Sequence, residues 1–398
     1  MISIEDQFVG LLSLLKASLW GTDVATVTEE DFEEMKIHAI AALPTDVLSR
    51  ANLDTKLQYE WKQYILQQIA YNANYIYQQG RLPISVPYVI LKGSSAAKYY
   101  PHPEYRTMGD IDIMTRREDY ETACRCLLEN GFTENENRIE EDFGRHRGFA
   151  RNGIEVEVHA FFALLNDPRK AEYLDDAIIK SINSSHMLPD LVNGLVLLEH
   201  FAQHMEEGIG LRQVVDWMMF VDKCLPDEKW HEFRKMAHSI GLEKLAIIAT
   251  RMCEIFLDLP AHVWCKNADE MVCRKLMAYI LVSGNFGRKY TSKNGPGASV
   301  LTYARTPFAL FRLLQDRGLV NWKAAQNNTF LRPFAWAYQL GRYMGKGLGR
   351  KKAILELKEE YETARNRVSL FDALGVKQTS KGLAVYRDGR YIKTYMRP

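Results

Sequence analysis

The sequence predicts an α+β fold in which a small mixed sheet is flanked by large helical regions and followed by a C-terminal β-hairpin. Three observations carry this prediction. Short apolar or alternating segments cluster between residues 86 and 162, amphipathic helical patterns fill most of the remaining chain, and the dipeptide Asp388-Gly389 divides the segment Leu383–Tyr395 in the manner of a hairpin turn.

Length and composition are those of an ordinary globular protein with room for two or three domains. The chain has 398 residues, of which 47% are hydrophobic and 25% are charged. Its net charge of +1 offers no global argument for binding nucleic acid or membranes. No apolar run reaches the ~18 residues of a membrane span, and the N-terminus lacks the basic start of a signal peptide, so we expect a cytoplasmic protein without a membrane partner.

The six cysteines are scattered and form neither a Cys-x-x-Cys pair nor a zinc-finger pattern with histidine. This distribution predicts reduced, mostly buried thiols. Hydrophobic periodicity and turn residues divide the chain into four predicted regions. They are an N-terminal helical region (1–85), an α/β core (86–165), a helical domain (166–265) and a C-terminal helical region ending in the hairpin (266–398).

The α/β core alternates predicted strands with predicted helices. The first strand is a β-branched apolar run, whereas the second and third alternate strictly between apolar and polar residues, which is typical of strands with one polar face. A Gly131 stop ends the longer helix. In chain order the elements are Val86–Leu91, Ala96–Tyr100, Gly109–Met114, Arg116–Asn130 and Ile154–Phe161.

Asp110 and Asp112 are the first candidates for chemistry. On a strand, residues i and i+2 share a face, so the two carboxylates lie close enough to share a cation. Mg²⁺ takes a few carboxylates and fills its other positions with water and phosphate oxygens. A third carboxylate from the last strand would complete a two-metal site, and Glu157 and Glu155 both lie on that strand's polar face.

Gly93 and Ser94 follow the first strand and open a helix. Glycine lets a phosphate approach the backbone, and the N–H groups of a helix N-terminus together with the serine hydroxyl can then bind it. An alternative interpretation is that the pair forms only a turn. Held between this turn and the metals, the α-phosphorus of a nucleoside triphosphate (NTP) would be open to in-line attack by an acceptor hydroxyl.

Two cations and one histidine near these motifs have alternative roles. Lys92, at the end of the first strand, is a candidate phosphate ligand. Arg106 is either a second phosphate ligand or a structural partner of a nearby carboxylate, Asp110 or Glu104. His159 shares the polar face of the last strand, where it is a partner of the metal ligands, a base, or a buried hydrogen-bonded side chain.

These motifs together carry a family resemblance. In chain order they are Leu91-Lys92-Gly93-Ser94, Tyr100-Pro101, Arg106, Asp110-Ile111-Asp112-Ile113 and Val156-Glu157-Val158-His159. The series resembles the uncharacterised bacterial nucleotidyltransferase family of the DNA polymerase β superfamily over about residues 86–162. A looser resemblance covers Leu197–Val221, a helical segment that includes His204, Arg212 and Asp216-Trp217.

The resemblance implies a nucleotidyltransferase core that moves a nucleoside monophosphate from an NTP, expected to be ATP, to a hydroxyl acceptor. By the motif, Asp110 and Asp112 would be the first two ligands of two Mg²⁺ ions and Glu157 the third, while Gly93 and Ser94 would contact phosphates. The family sets no acceptor, which can be a small molecule, a protein or RNA.

Two other functions compete with this one. A catalytically inactive relative would keep the fold as an interaction or scaffold protein, but the intact Asp-x-Asp motif at Asp110 and Asp112 argues against it. A glycosyltransferase would use the same motif to hold a nucleotide-sugar diphosphate. That architecture places a nucleotide-binding α/β region before the motif, whereas here the preceding region is helical with a single strand.

Overall fold

The computed structural model describes residues 7–24, 26–135, 145–165, 167–182, 185–285, 311, 314–315, 318–319, 321–347, 365–376, 383–387 and 390–395. The chain divides into two compact units, one of residues 1–289 with 374–398 and one of residues 290–373. The sheet and the predicted site belong to the first unit. The predicted α+β class is confirmed, and the finer boundaries at residues 85, 165 and 265 stay predictions.

A five-stranded mixed sheet forms the centre of the first unit. Its strands are β1 (Tyr88–Ile90), β2 (Ile111–Thr115), β3 (Thr133–Glu134), β4 (His146–Arg151) and β5 (Ile154–His159). They lie in the order β1-β2-β5-β4-β3. The pairing of β2 with β5 is parallel and all other pairings are antiparallel. The three strands predicted from the sequence correspond to β1, β2 and β5.

Strands β3 and β4 were not predicted, and their absence from the prediction has a physical reason. Strand β4 carries Arg147 and Arg151 on the same face as Phe149, so it lacks the apolar alternation that marks a half-buried strand. Its position is set by Asn152 and Gly153, whose φ angles of 53° and 75° suit a two-residue hairpin turn of type I′. This tight β4–β5 hairpin places His146 directly opposite His159.

Helices make up most of the other described elements in residues 1–289. They are α1 (Val9–Trp20), α2 (Glu29–Ile37), α3 (Thr55–Gln79), α4 (Ser94–Ala97), α5 (Tyr120–Glu129), α6 (Pro168–Lys180), α7 (Asp190–Glu207), α8 (Leu211–Cys224), α9 (Asp227–Ser239), α10 (Glu243–Leu257) and α11 (Glu270–Ser283). Side-chain caps define several starts; the Asp54 carboxylate, for example, accepts hydrogen bonds from the first N–H groups of α3. Helices α6 to α10 account for most of the described residues between 167 and 265, and the predicted helical domain 166–265 stays a prediction.

The second unit and the C-terminal segment contain the remaining elements. In the second unit the structure describes α12 (Lys323–Asn327) and α13 (Ala335–Gly347), and residues 365–373 are also helical. The predicted C-terminal hairpin is present as β6 (Leu383–Arg387) paired antiparallel with β7 (Arg390–Tyr395); its predicted turn, Asp388-Gly389, lies outside the described residues. None of the helices described is long and apolar enough to cross a membrane.

The two faces of the central sheet differ in character. One face buries apolar side chains of β2 and β5 against α5, and each fully buried valine or isoleucine stabilises the fold by about 1.5–3 kcal/mol. The residues of this layer include Ile111, Ile113, Ala123, Cys124, Leu127, Val156 and Val158. The opposite face carries Asp112, Glu157, His146 and His159. Because alternate residues of a strand point to opposite faces, the apolar core lies on one side of the sheet and the candidate site on the other.

Helix α3 holds the segment that leads into β2. The Asn72 side chain is buried and hydrogen-bonds to three backbone groups of residues 104–108. The hydroxyls of Tyr71 and Tyr75 donate to the carbonyls of Gly109 and Asp110, at 2.9 and 3.2 Å. Helix α3 therefore fixes the backbone from which the predicted metal ligands project.

A buried ion pair ties the same segment to α8. Arg106 donates through Nε and Nη2 to the two carboxylate oxygens of Asp216, each at 2.7 Å, and it is 3% exposed. The Tyr100 hydroxyl donates to the same carboxylate, also at 2.7 Å. Burial and the neighbouring Asp216 raise the pKa of Tyr100 well above its ordinary value, so the hydroxyl keeps its proton.

We predict that Asp216→Ala lowers the free energy of unfolding by about 3–5 kcal/mol, because it leaves the Arg106 guanidinium buried without a counter-charge. Urea denaturation followed by circular dichroism measures the loss. The exposed pair of Lys56 and Glu60 supplies the control, and Glu60→Ala should change stability by less than about 0.5 kcal/mol. An equally small loss in both variants would contradict a stabilising role for the buried pair.

Candidate metal and nucleotide site

The parallel register of β2 and β5 sets Asp112 directly opposite Glu157 on the polar face of the sheet. Asp110 lies just before β2, and one oxygen from each of Asp110, Asp112 and Glu157 lies within 4.8 Å of the other two. Asp112 is 2% exposed and Glu157 is 7% exposed. The structure thus brings the three predicted metal ligands together in a spacing that suits a shared cation.

Lys92 is the cation closest to these carboxylates. Its Nζ lies 2.8 Å from Oδ1 of Asp112, and its side chain is largely buried. Burial lowers the pKa of Lys92, but the carboxylates of Asp112, Asp110 and Glu157 outweigh this effect and raise it above the ordinary value. The Lys92 ammonium therefore interacts with all three carboxylates.

The two aspartates respond differently to this crowding. Burial, together with repulsion from Asp112, raises the pKa of Asp110 to about 7. Burial also tends to raise the pKa of Asp112, but the ammonium of Lys92 and a hydrogen bond with His159 lower it below the ordinary value. Near neutral pH the motif therefore combines one firmly ionised carboxylate with one that exchanges its proton.

Two histidines surround Glu157. Nε2 of His146 lies 3.3 Å from one carboxylate oxygen of Glu157, and Nε2 of His159 lies 3.6 Å from the other. His159 also shares a 2.8 Å hydrogen bond with Oδ1 of Asp112. Although burial opposes ionisation, the hydrogen bonds from both histidines lower the pKa of Glu157 below its ordinary value.

The rival ligand Glu155 does not join this cluster. It lies on the same face of β5 as Glu157, but it pairs with Ala150 on β4 and is partly exposed. Over the described ranges, the groups of residues able to hold a metal include Glu157 and do not include Glu155. The geometry therefore favours Glu157 over Glu155 as the third carboxylate.

Gly93 and Ser94 form the turn between β1 and α4, as predicted. Gly93 has a φ of +58°, and a Cβ at this position would overlap the hydroxyl of Tyr75, which bonds to the backbone of Asp110. The Ser94 hydroxyl donates to the side chain of Gln79 at 2.8 Å. Glycine is therefore required here by packing against α3, independently of any phosphate.

The Arg106 guanidinium binds Asp216 of α8 rather than the three carboxylates of the cluster. Neither of the structural partners expected from the sequence, Asp110 and Glu104, receives its guanidinium, which binds Asp216 instead. Since both edges of the Asp216 carboxylate are engaged, Arg106 reaches a phosphate only if this ion pair opens. Sequence reasoning missed the partner because it lies 110 positions further along the chain.

Helices α7 and α8 bring more basic and imidazole side chains near the site. His200 and His204, one helical turn apart, share a 2.8 Å hydrogen bond between their Nε2 atoms. Burial lowers the pKa of both well below the ordinary value, and Lys92 lowers it further, so both are neutral near pH 7. Arg212 is buried, and its guanidinium interacts electrostatically with Asp110.

Two buried carboxylates hold the segment that follows β5. Asp175 of α6 accepts hydrogen bonds from the N–H groups of Phe162 and Ala163, at 2.9 and 3.0 Å. Glu199 of α7 accepts one from the N–H of Leu164, at 2.9 Å. Burial raises the pKa of Asp175 to about 6 and that of Glu199 to about 7. These bonds connect the end of β5 to the helical region.

One member of the cluster, His146, was not among the residues singled out in the sequence. It lies on β4, the strand that apolar alternation did not reveal. The signal that could have found it is the Asn152-Gly153 dipeptide, which predicts a two-residue hairpin and therefore a strand before it. Counting back from that turn places His146 opposite His159.

Comparison with known proteins agrees with this geometry. No curated protein and no solved structure matches the chain. One family model does match, over residues 32–258, which is more than half of the chain and includes α3, the sheet and helices α6 to α10; it is described as an uncharacterised nucleotidyltransferase. With this match and with the strand order and acidic cluster described above, the chain belongs to that family of uncharacterised nucleotidyltransferases.

Proposed function

We propose that the protein is a Mg²⁺-dependent enzyme that transfers a nucleoside monophosphate from an NTP to a hydroxyl group of an acceptor. The observation that carries the proposal is the convergence of oxygens from Asp110, Asp112 and Glu157 within 4.8 Å of one another. Membership of a nucleotidyltransferase family supports the reaction class. The acceptor is a small molecule, a protein or RNA.

The donor set fits Mg²⁺, the cation that this reaction class implies. The three carboxylates supply hard oxygen ligands, and Lys92 forms an ion pair with one of them, Asp112. We assign Asp110, Asp112 and Glu157 as ligands of two ions. Bound Mg²⁺ would neutralise charge on the phosphate oxygens and on the attacking and leaving oxygens.

The triphosphate would lie against the basic groups beside the carboxylates. Lys92 interacts electrostatically with Asp110 and Asp112, Arg212 interacts with Asp110, and both cations can bind phosphate oxygens. The backbone at Gly93 and Ser94 would contact the same phosphates. We assign Arg106 a positioning role, since Asp216 already binds its guanidinium. ATP is the nucleotide that we propose.

In the proposed reaction, the acceptor oxygen forms a bond to the α-phosphorus as the bond from that phosphorus to the pyrophosphate oxygen breaks. The acceptor hydroxyl would lose its proton to solvent water, since the three carboxylates are assigned to the ions. The pyrophosphate leaves from the side opposite the acceptor. Positioning and charge stabilisation supply the catalysis, so no protein nucleophile is needed.

A non-catalytic scaffold with the same fold is the competing function. Both functions are compatible with the family, but only the enzyme requires buried carboxylates at close range. Placing three of them together is unfavourable unless a cation binds, so a scaffold would gain nothing by keeping them. NTP binding and label transfer separate the two.

We predict that cell extract incubated with the protein, Mg²⁺ and an NTP yields an acceptor labelled from α-³²P but not from γ-³²P. Asp112→Asn keeps the shape of the side chain, removes its charge, and should slow labelling by about 100-fold or more, because metals supply several kcal/mol of transition-state stabilisation.

Matched replacements on β5 test the third ligand. Glu157→Gln should be as inactive as Asp112→Asn, and Glu155→Gln should retain most of the activity. The reverse order would reassign the ligand.

We predict that Mg²⁺ binding depends on pH because Asp110 must release a proton. The pKa of Asp110 in the metal-free protein is raised to about 7 by burial and by Asp112, so protons compete with the metal below that pH. The Mg²⁺ affinity measured by calorimetry should fall by about tenfold between pH 8 and pH 6, as titration of a single group requires. Asp110→Asn should bind Mg²⁺ more weakly and without this dependence. A wild-type affinity that is constant over the range would contradict the assignment.

A further inference from the structure

A second set of metal-binding atoms adjoins the three carboxylates. His146, Glu157 and His159 each offer a ligand atom, and these atoms lie within 4.8 Å of one another. The two histidines are paired across β4 and β5, with ring centroids 5.0 Å apart, and all three side chains are buried. Glu157 belongs to both sets, so it can bridge two cations.

The two sets differ in donor chemistry. Asp110, Asp112 and Glu157 provide only oxygens, which suit Mg²⁺. Two imidazole nitrogens and one carboxylate instead favour divalent transition metals, whereas Mg²⁺ binds imidazole poorly. Adjacent cations in two-metal sites lie about 3.5–4 Å apart, a separation that one bridging carboxylate spans.

We propose that the two cation positions differ: His146, Glu157 and His159 hold a divalent transition metal in place of one of the two Mg²⁺ ions, next to the carboxylate position that keeps the other. The inference rests on the proposed function, because Glu157 serves both positions. It goes beyond that function by assigning nitrogen ligands and a metal class. An ion held at this position would lie between the end of β5 and β4, where the hairpin turn fixes the pair of histidines.

The existing hydrogen bonds of the histidines are compatible with coordination. In the metal-free protein, Nε2 of His159 bonds to Asp112. The proton of a neutral imidazole can occupy either nitrogen, and Nδ1 of His159 has no hydrogen-bond partner among the described residues. The hydrogen bond of Nε2 with Asp112 therefore sets the tautomer of His159. When the proton moves to Nδ1, the lone pair of Nε2 becomes available to a cation.

The direct test is electron spin-echo spectroscopy of the metal-free protein loaded with one equivalent of Mn²⁺. We expect modulation from ¹⁴N nuclei bound to the ion, and replacement of that pattern when all histidines carry ¹⁵N. The isotope comparison needs no variant and thus does not depend on the folding of a mutant. A Mn²⁺ ion that coordinates only the carboxylates and water would show no such nitrogen coupling.

Variants locate the nitrogen ligands. His146→Gln should remove part of the nitrogen coupling and weaken Mn²⁺ binding by more than ~100-fold, the upper end of the loss typical of an outer-shell partner. Its Mg²⁺ affinity should stay nearly unchanged, because the carboxylate position is intact. Glu155→Gln, on the same face of β5, is the matched control and should keep both the coupling and the Mn²⁺ affinity.

The outcomes distinguish this inference from the proposed function. Nitrogen coupling that disappears with His146→Gln supports two different cation positions. Bound Mn²⁺ without nitrogen coupling overturns the inference and leaves the carboxylate site standing. If neither Mn²⁺ nor Mg²⁺ binds the wild-type protein, both the inference and the metal-dependent function are wrong.

Discussion

The parallel pairing of β2 with β5 is the constraint on which the rest of the structure depends. Its register places Asp112 opposite Glu157, and Asp110 completes a set of carboxylates that repel one another on a largely buried face. Carboxylates this close together stay ionised only when cations or hydrogen-bond donors offset their repulsion. Lys92 and the two histidines of the cluster offset part of this repulsion, and the proposed metals would offset the remainder.

The surrounding helices keep this arrangement in place. Tyr75 of α3 bonds to the backbone of Asp110 and packs against Gly93, so one side chain links the metal-binding segment to the turn after β1. The Arg106–Asp216 ion pair links the same segment to α8. A fixed backbone matters because electrostatic catalysis requires groups that are oriented before the substrate arrives.

Much of the fold was predicted from local sequence patterns. The features that were not predicted either depend on residues far apart in the sequence or lack a clear hydrophobic pattern. The helical character of the region before the sheet, which contains α3, was predicted from its hydrophobic periodicity. Alternation placed Glu157 on the polar face of β5. Strand β4 and its His146 were not predicted, because the strand has no alternation of apolar and polar residues: Phe149 shares a face with Arg147 and Arg151. The partner of Arg106 was unpredictable, since no local pattern reports a contact 110 residues away.

The central claim is that Asp110, Asp112 and Glu157 hold the cations to which an NTP binds. A crystal structure with Mn²⁺ and an NTP analogue whose α–β bridge resists cleavage tests it most directly, because anomalous scattering locates the metal. We expect an anomalous peak bonded to oxygens of these three carboxylates, with the analogue's phosphates completing its coordination beside Lys92, whether or not a second peak lies at His146, Glu157 and His159. A nucleotide bound elsewhere, or a peak away from the three carboxylates, would contradict it.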